Sequence, residues 1–104
     1  MAVELRPGAR YRSAVGETEV VVVKAPAGAT DLRCGGHAMV PIGDAPPTGL
    51  SAEPGFDGDT LIGKRYTDEK GELELLCSKG GTASLSVDQE LLVLKGAKPL
   101  PSSD

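Results

Sequence analysis

Aromatic side chains are nearly missing from this chain. Tyr11, Tyr66 and Phe56 are the whole set in 104 residues, and there is no tryptophan. A core must therefore be built from Val, Leu, Ile and Ala, and a single nucleic-acid strand would find no stacking platform. Basic charge is also short: 11 Lys and Arg stand against 15 Asp and Glu, so a phosphate backbone would be repelled overall. Apolar runs such as Val20–Val23 stop far short of a membrane span, and the N-terminus lacks a charged-then-apolar signal pattern. Two cysteines do not make a disulfide framework. These shortages argue against nucleic-acid and membrane partners and lead to the expectation of a cytoplasmic protein.

Glycine and proline, by contrast, are plentiful, at 14 and 8 residues. That favours many short elements joined by turns over long helices. One stretch occurs twice. Gly8, Arg10, Tyr11, Gly16, Glu17 and Glu19 recur 55 positions later as Gly63, Arg65, Tyr66, Gly71, Glu72 and Glu74, with Lys24 and Lys79 in the same register. The duplicated strand-turn-strand predicts two pseudo-symmetric halves. Copy one covers about 8–42, copy two about 63–96, and a long loop over 43–62 separates them in a single domain of residues 1–97. Residues 98–104 read as an extended tail.

Within copy one, Glu17 to Lys24 alternates, with Thr18, Val20 and Val22 on one face. Its valine-rich end reads as a central strand buried on both sides. His37 to Ile42 reads as one strand interrupted by Pro41. In copy two, Leu73, Leu75 and Cys77 share a face, and Gly80-Gly81 reads as a two-residue hairpin turn. Thr82 to Val87 then places Ala83, Leu85 and Val87 inward and Ser84 and Ser86 outward. Residues 88–95 read as a strand in preference to a two-turn helix, although Ser86 with Gln89 would suit a capping box. The fold class expected is all-β, a small sandwich or partly open barrel of short antiparallel strands.

The most distinctive stretch is Leu32-Arg33-Cys34-Gly35-Gly36-His37-Ala38-Met39. Cys34 and His37 have the Cys-x-x-His spacing of a metal knuckle, and Cys77 could supply a third ligand for zinc or iron. No second ligand pair exists, so a structural turn with a buried cysteine is the preferred reading. An enzymatic version would make Cys34 a nucleophile beside His37, oriented by Asp31 or Asp44. Asp57-Gly58-Asp59 lacks the remaining ligands of a calcium loop. Phe56, an apolar residue on an acidic loop, is a candidate partner contact, and so are Tyr11 and Tyr66 as a symmetric pair.

Gly8, Tyr11, the strand Val20–Val23, Leu32, Cys34, Gly36 and Met39 also fall in the order of a known pattern. Residues 8–40 resemble the desulforedoxin-like, rubredoxin-type knuckle of small bacterial iron proteins. There Gly-x-x-Tyr introduces a Cys-x-x-Cys-Gly turn, and a later Leu-x-Cys-Cys-Gly-x-x-Met closes the site. Here Ser13 and Gly16 stand at the first two ligand positions and Gly35 at the fourth. Cys34 alone is left, and one thiolate cannot hold iron in a tetrahedral sulfur cage. The resemblance implies a β-hairpin scaffold that has lost its metal, with a tendency to pair as a dimer, and it carries over no redox activity. The function expected is a non-catalytic accessory or protein-interaction module without a cofactor, binding a protein partner or itself through an open sheet edge. The alternative is a metal- or thiol-dependent protein using Cys34, His37 and Cys77.

Overall fold

The computed structural model describes residues 3–45 and 49–95. The first half runs through β1 (Val3–Glu4), β2 (Arg10–Arg12), β3 (Glu19–Lys24), β4 (Ala29–Thr30), β5 (Leu32–Cys34), β6 (His37–Ala38) and β7 (Val40–Pro41). The second runs through β8 (Arg65–Thr67), β9 (Glu74–Lys79), β10 (Leu85–Val87), β11 (Glu90–Leu91) and β12 (Val93–Leu94). The fold is all-β and antiparallel. A six-stranded sheet has the order β12-β8-β9-β3-β2-β7, a four-stranded sheet the order β11-β10-β5-β6, and β1 pairs with β4. None of these sheets closes into a barrel.

The halves are related by a local two-fold axis that can be read from the registers. Tyr11 pairs with Val20 as Tyr66 pairs with Leu75, and Tyr11 with Pro41 as Tyr66 with Leu94. β2 and β3 recur as β8 and β9 at an offset of 55, whereas β5, β6 and β7 recur as β10, β11 and β12 at 53. The two residues are lost between β9 and β10, where copy one carries the longer connection containing β4. The halves join through their own equivalent strands: Val21 pairs with Leu76 in the large sheet and Arg33 with Ser86 in the small one. Backbone bonds follow the same symmetry. Gly35 N–H donates to Ser84 O, and Asp88 N–H donates to Asp31 O.

Period-two alternation explains which side is buried. Thr18, Val20 and Val22 from one copy and Leu73, Leu75 and Cys77 from the other are all buried, and they meet Leu32, Cys34 and Leu85 of the small sheet. Leu5, Met39, Tyr66, Ala83 and Leu92 complete this core. Each fully buried Val or Leu contributes about 1.5–3 kcal/mol of apolar transfer.

Several local expectations are corrected. β3 is central, but it is buried on one side only: Val21 is half-buried and Val23 is 41% exposed, because the large sheet is covered on a single face. Gly80-Gly81 is not a hairpin turn, since β9 and β10 belong to different sheets. These glycines allow close approach instead. A Cβ at Gly80 would lie 2.7 Å from Thr60 O, and one at Gly81 would lie 2.9 Å from Thr18 N. The true two-residue turn of copy two is Asp88-Gln89, between the paired Val87 and Glu90. His37 to Ile42 splits at Met39 into β6 and β7, which enter different sheets. Ser86 is buried rather than outward, with its hydroxyl bonded to Asp88 O at 3.3 Å. Residues 88–95 contain β11 and β12 and no helix. The tail expected at 98–104 lies outside the described residues.

Candidate functional site

Cys34 ends β5 and pairs across the Gly35-Gly36 turn with His37 on β6. Both glycines have positive φ, +68° and +84°, which a two-residue hairpin turn of this kind requires. The thiol of Cys34 is fully buried and faces the hydroxyls of Ser13 and Thr18. Burial pushes its pKa up, and the two hydroxyls only partly oppose this. Ser13 Oγ in turn accepts the N–H groups of Val15 and Gly16 at 3.0 and 3.1 Å. Thr18 Oγ1, although it faces the sulfur, makes no hydrogen bond of proper geometry and is a buried unsatisfied group.

Cys77 lies on β9 opposite Val20, and its thiol donates to Lys79 O at 3.2 Å. Burial raises its pKa as well, and Cys34 adds to the rise. His37 is half-buried at the molecular edge; its Nε2 lies 3.0 Å from Ser51 O and 3.9 Å from a Glu53 carboxylate oxygen. Facing a carbonyl, Nε2 must carry the proton. Among the described residues, no three His, Cys, Asp or Glu side chains gather where they could hold a metal ion. The glycines of the turn are occupied by packing. A Cβ at Gly35 would fall 2.6 Å from Val15 Cγ2 and 3.2 Å from Ala83 Cβ, and one at Gly36 would fall 3.0 Å from Glu53 Cγ. The Gly35 amide is already committed to Ser84 O.

The aromatic candidates point elsewhere. Tyr11 on β2 packs against the core, and its equivalent Tyr66 on β8 is buried, its phenol oxygen accepting the Leu61 N–H at 2.9 Å. Phe56 is half-buried; its carbonyl accepts from Ser84 N–H, and its side chain lines a cavity of about 430 Å³ with Arg33, Glu53 and Gln89. A second cavity of about 460 Å³ is strongly acidic, lined by Asp31, Asp68, Glu69, Glu72, Asp88 and Glu90. Part of that acidity is in structural use: Arg33 Nε bonds Asp31 at 2.9 Å, and Asp68 Oδ1 accepts the Glu72 and Leu73 amides at 2.8 and 3.1 Å.

One side of the six-stranded sheet, its outer face, is open to solvent. Val21 and Leu76 form its half-buried centre, flanked by exposed Arg10 and Arg65. Lys24 pairs with Glu74 and Lys79 with Glu19, while Val23 and Val93 stand 41% and 56% exposed. The two glutamates are held by neighbours on the same face. Arg12 approaches Glu19 at 3.7 Å, and Arg65 and Lys95 reach Glu74 at 3.3 and 2.6 Å. Individual residue readings miss this surface. The signal that could have found it is the alternation Arg10/Arg12, Glu19/Val21/Val23 and Glu74/Leu76, read as one face across paired strands.

Neither protein-family models, nor curated proteins, nor solved structures yield a match to this chain. Its function must therefore be argued from these surfaces.

Proposed function

We propose that this chain is a non-catalytic protein-interaction module on a metal-free β scaffold, docking its partner on the outer face of the six-stranded sheet. The observation that carries the reading is the exposure of that face. A two-layer β fold buries one side of each sheet, and here the other side of the larger sheet keeps Val23, Val93, Arg10 and Arg65 open to solvent. The face suits docking better than the edges do. Edge strands β7 and β12 are two residues long, and β7 ends in Pro41, which has no N–H to offer an added strand.

The residues that would serve a catalytic or metal reading support this choice. Both thiols are buried with raised pKa values, whereas a nucleophilic cysteine works as an accessible thiolate. Tyr11 and Tyr66 alternate with the outward-facing arginines of β2 and β8, so they belong to the scaffold. Two unpaired cysteines suit a reducing compartment, and we assign the protein to the cytoplasm.

A photo-crosslinking amino acid at Val93, in cells that make the protein, tests the docking face. Adducts to a second polypeptide are expected there and not from the same probe at Asp57, an exposed position outside the strands of that sheet. Equal yields at both positions, or none at Val93, would overturn the reading. Stoichiometric zinc or iron in protein purified without chelator would overturn the metal-free part.

A further inference from the structure

Charge on this molecule is segregated. The outer face of the six-stranded sheet carries Arg10, Arg12, Lys24, Arg65, Lys79 and Lys95, six of the 11 cations, with Glu19 and Glu74 as its acids out of 15. The rest of the chain holds five cations against thirteen acids. In a protein of net charge −4, the outward strand positions and Lys95 therefore sum to +4, bordered by Glu17 beside Lys79 and by Asp68, Glu69 and Glu90 in the concavity that Lys24, Val93 and Lys95 line. The two glutamates are engaged by Arg12, Arg65 and Lys95, so Arg10, Lys24 and Lys79 are the cations of the face not spent on them. Lys79 shares only a long, solvent-exposed contact of 3.9 Å with Glu17.

From this we infer that the face recognises an acidic polypeptide segment in which Asp or Glu alternates with apolar residues; the inference rests on the docking reading above. Charge complementarity selects the acids and steers the encounter. The half-buried Val21–Leu76 centre and exposed Val23 and Val93 provide apolar ground between the cations. Phosphate backbones fit less well: Glu19 and Glu74 lie within the basic array, and no aromatic side chain stands on this face to stack a base. A second copy placed face to face would oppose like charges. The two-fold arrangement of Arg10 with Arg65 and Lys24 with Lys79 offers the same cation spacing to a segment lying across the sheet in either direction.

Fluorescence anisotropy with a labelled synthetic peptide alternating Glu and Val tests the inference. Its Lys–Val counterpart and a labelled DNA duplex serve as comparison probes. Saturable binding of the Glu–Val peptide is expected, weakened by at least about tenfold in Arg10→Gln/Arg65→Gln. It is also expected to vanish in about 1 M salt, where screening acts within about 3 Å. Lys24→Gln/Lys79→Gln, at two exposed positions, provides a second variant, and unchanged circular dichroism shows that each variant is folded. Binding that ignores both variants, equal binding of the Lys–Val peptide, or tighter binding of the duplex would overturn it. So would salt-sensitive self-association lost in the same variants, which would name a second copy's acidic cavity as the occupant. The two readings fail separately. Adducts from Val93 to a segment without acidic excess sink the acidic partner and leave the docking face intact, whereas absent adducts sink both.

Discussion

Gly35 and Asp88 occupy equivalent places in the two halves, each opening the two-residue turn of a hairpin at positive φ, +68° and +54°. The backbone demands the same conformation twice and gets it from different residues. Asp tolerates the left-handed region because its short side chain can bond locally, at a cost of about 1–2 kcal/mol. The surroundings differ more: Val15 and Ala83 crowd Gly35. Gly35→Ala should therefore combine backbone strain with overpacking and cost roughly 2–4 kcal/mol. Asp88→Gly should stay within about 1 kcal/mol of wild type. Urea unfolding of both variants decides this, and equal losses would show that crowding at Gly35 is unimportant.

Thr18 and Leu73 are another equivalent pair, and here the polar member is the anomaly. Thr18 Oγ1 is buried without a hydrogen bond, while Leu73 fills the same place with carbon. Thr18→Val keeps the shape and removes an unsatisfied group, so it should stabilise the fold by about 1 kcal/mol. A loss of stability in thermal or urea unfolding would mean that the hydroxyl has a partner, with the Cys34 thiol the first to consider.

The two thiols should be slow to react with a disulfide reagent in the native state at neutral pH and should both titrate once the chain is unfolded. Rapid modification of Cys34 in the folded protein would restore the nucleophile reading. Their folded pKa values are raised by burial above ordinary thiol values. That contribution to stability is fully present below the unfolded pKa, near 8.5, and is lost as pH rises through the folded values. Cys77→Val copies Val22, the residue at the equivalent place in copy one. It should flatten the alkaline arm of the stability curve, and an unchanged arm would show that Cys77 does not contribute to it.

Glu74 governs the acid side. Its carboxyl is held below the usual range first by its hydrogen bond from Lys95, against some cost of burial, and then by the charges of Lys95 and Arg65. A lowered folded pKa means stability that is present above the unfolded carboxylate value and lost as pH falls through the folded one. Glu74→Gln should lower the urea midpoint at pH 7 and shrink the difference between neutral and acid midpoints. If the variant loses as much at low pH as at neutral pH, the ion pairs are not the source.

Much of the scaffold is legible in the chain. The alternation of Thr18, Val20 and Val22, and of Leu73, Leu75 and Cys77, assigns the buried faces because a strand exposes successive side chains to opposite sides. The repeat predicts two halves, and the registers show them. The roles of individual turn residues were less legible. Gly80-Gly81 has the composition of a hairpin turn, yet its small size answers to Thr60 and Thr18, more than fifteen residues away in either case. Asp88-Gln89 makes the real turn because its equivalent Gly35-Gly36 does, a relation hidden by the change of offset from 55 to 53.

The sequence by itself determined the class, the recurrence of like segments and the buried faces of the two longest strands, since these follow from local periodicity and from a duplicated pattern. Tertiary structure decided everything that depends on which distant residues become neighbours. It put Cys34 under Ser13 and Thr18, turned His37 toward Ser51, left Val23 uncovered and gathered six cations on one sheet face of an acidic protein. Strand register is the physical reason. Arg10, Lys24, Arg65 and Lys79 lie far apart in the chain and come to one surface only when β2, β3, β9 and β8 are paired in their observed order.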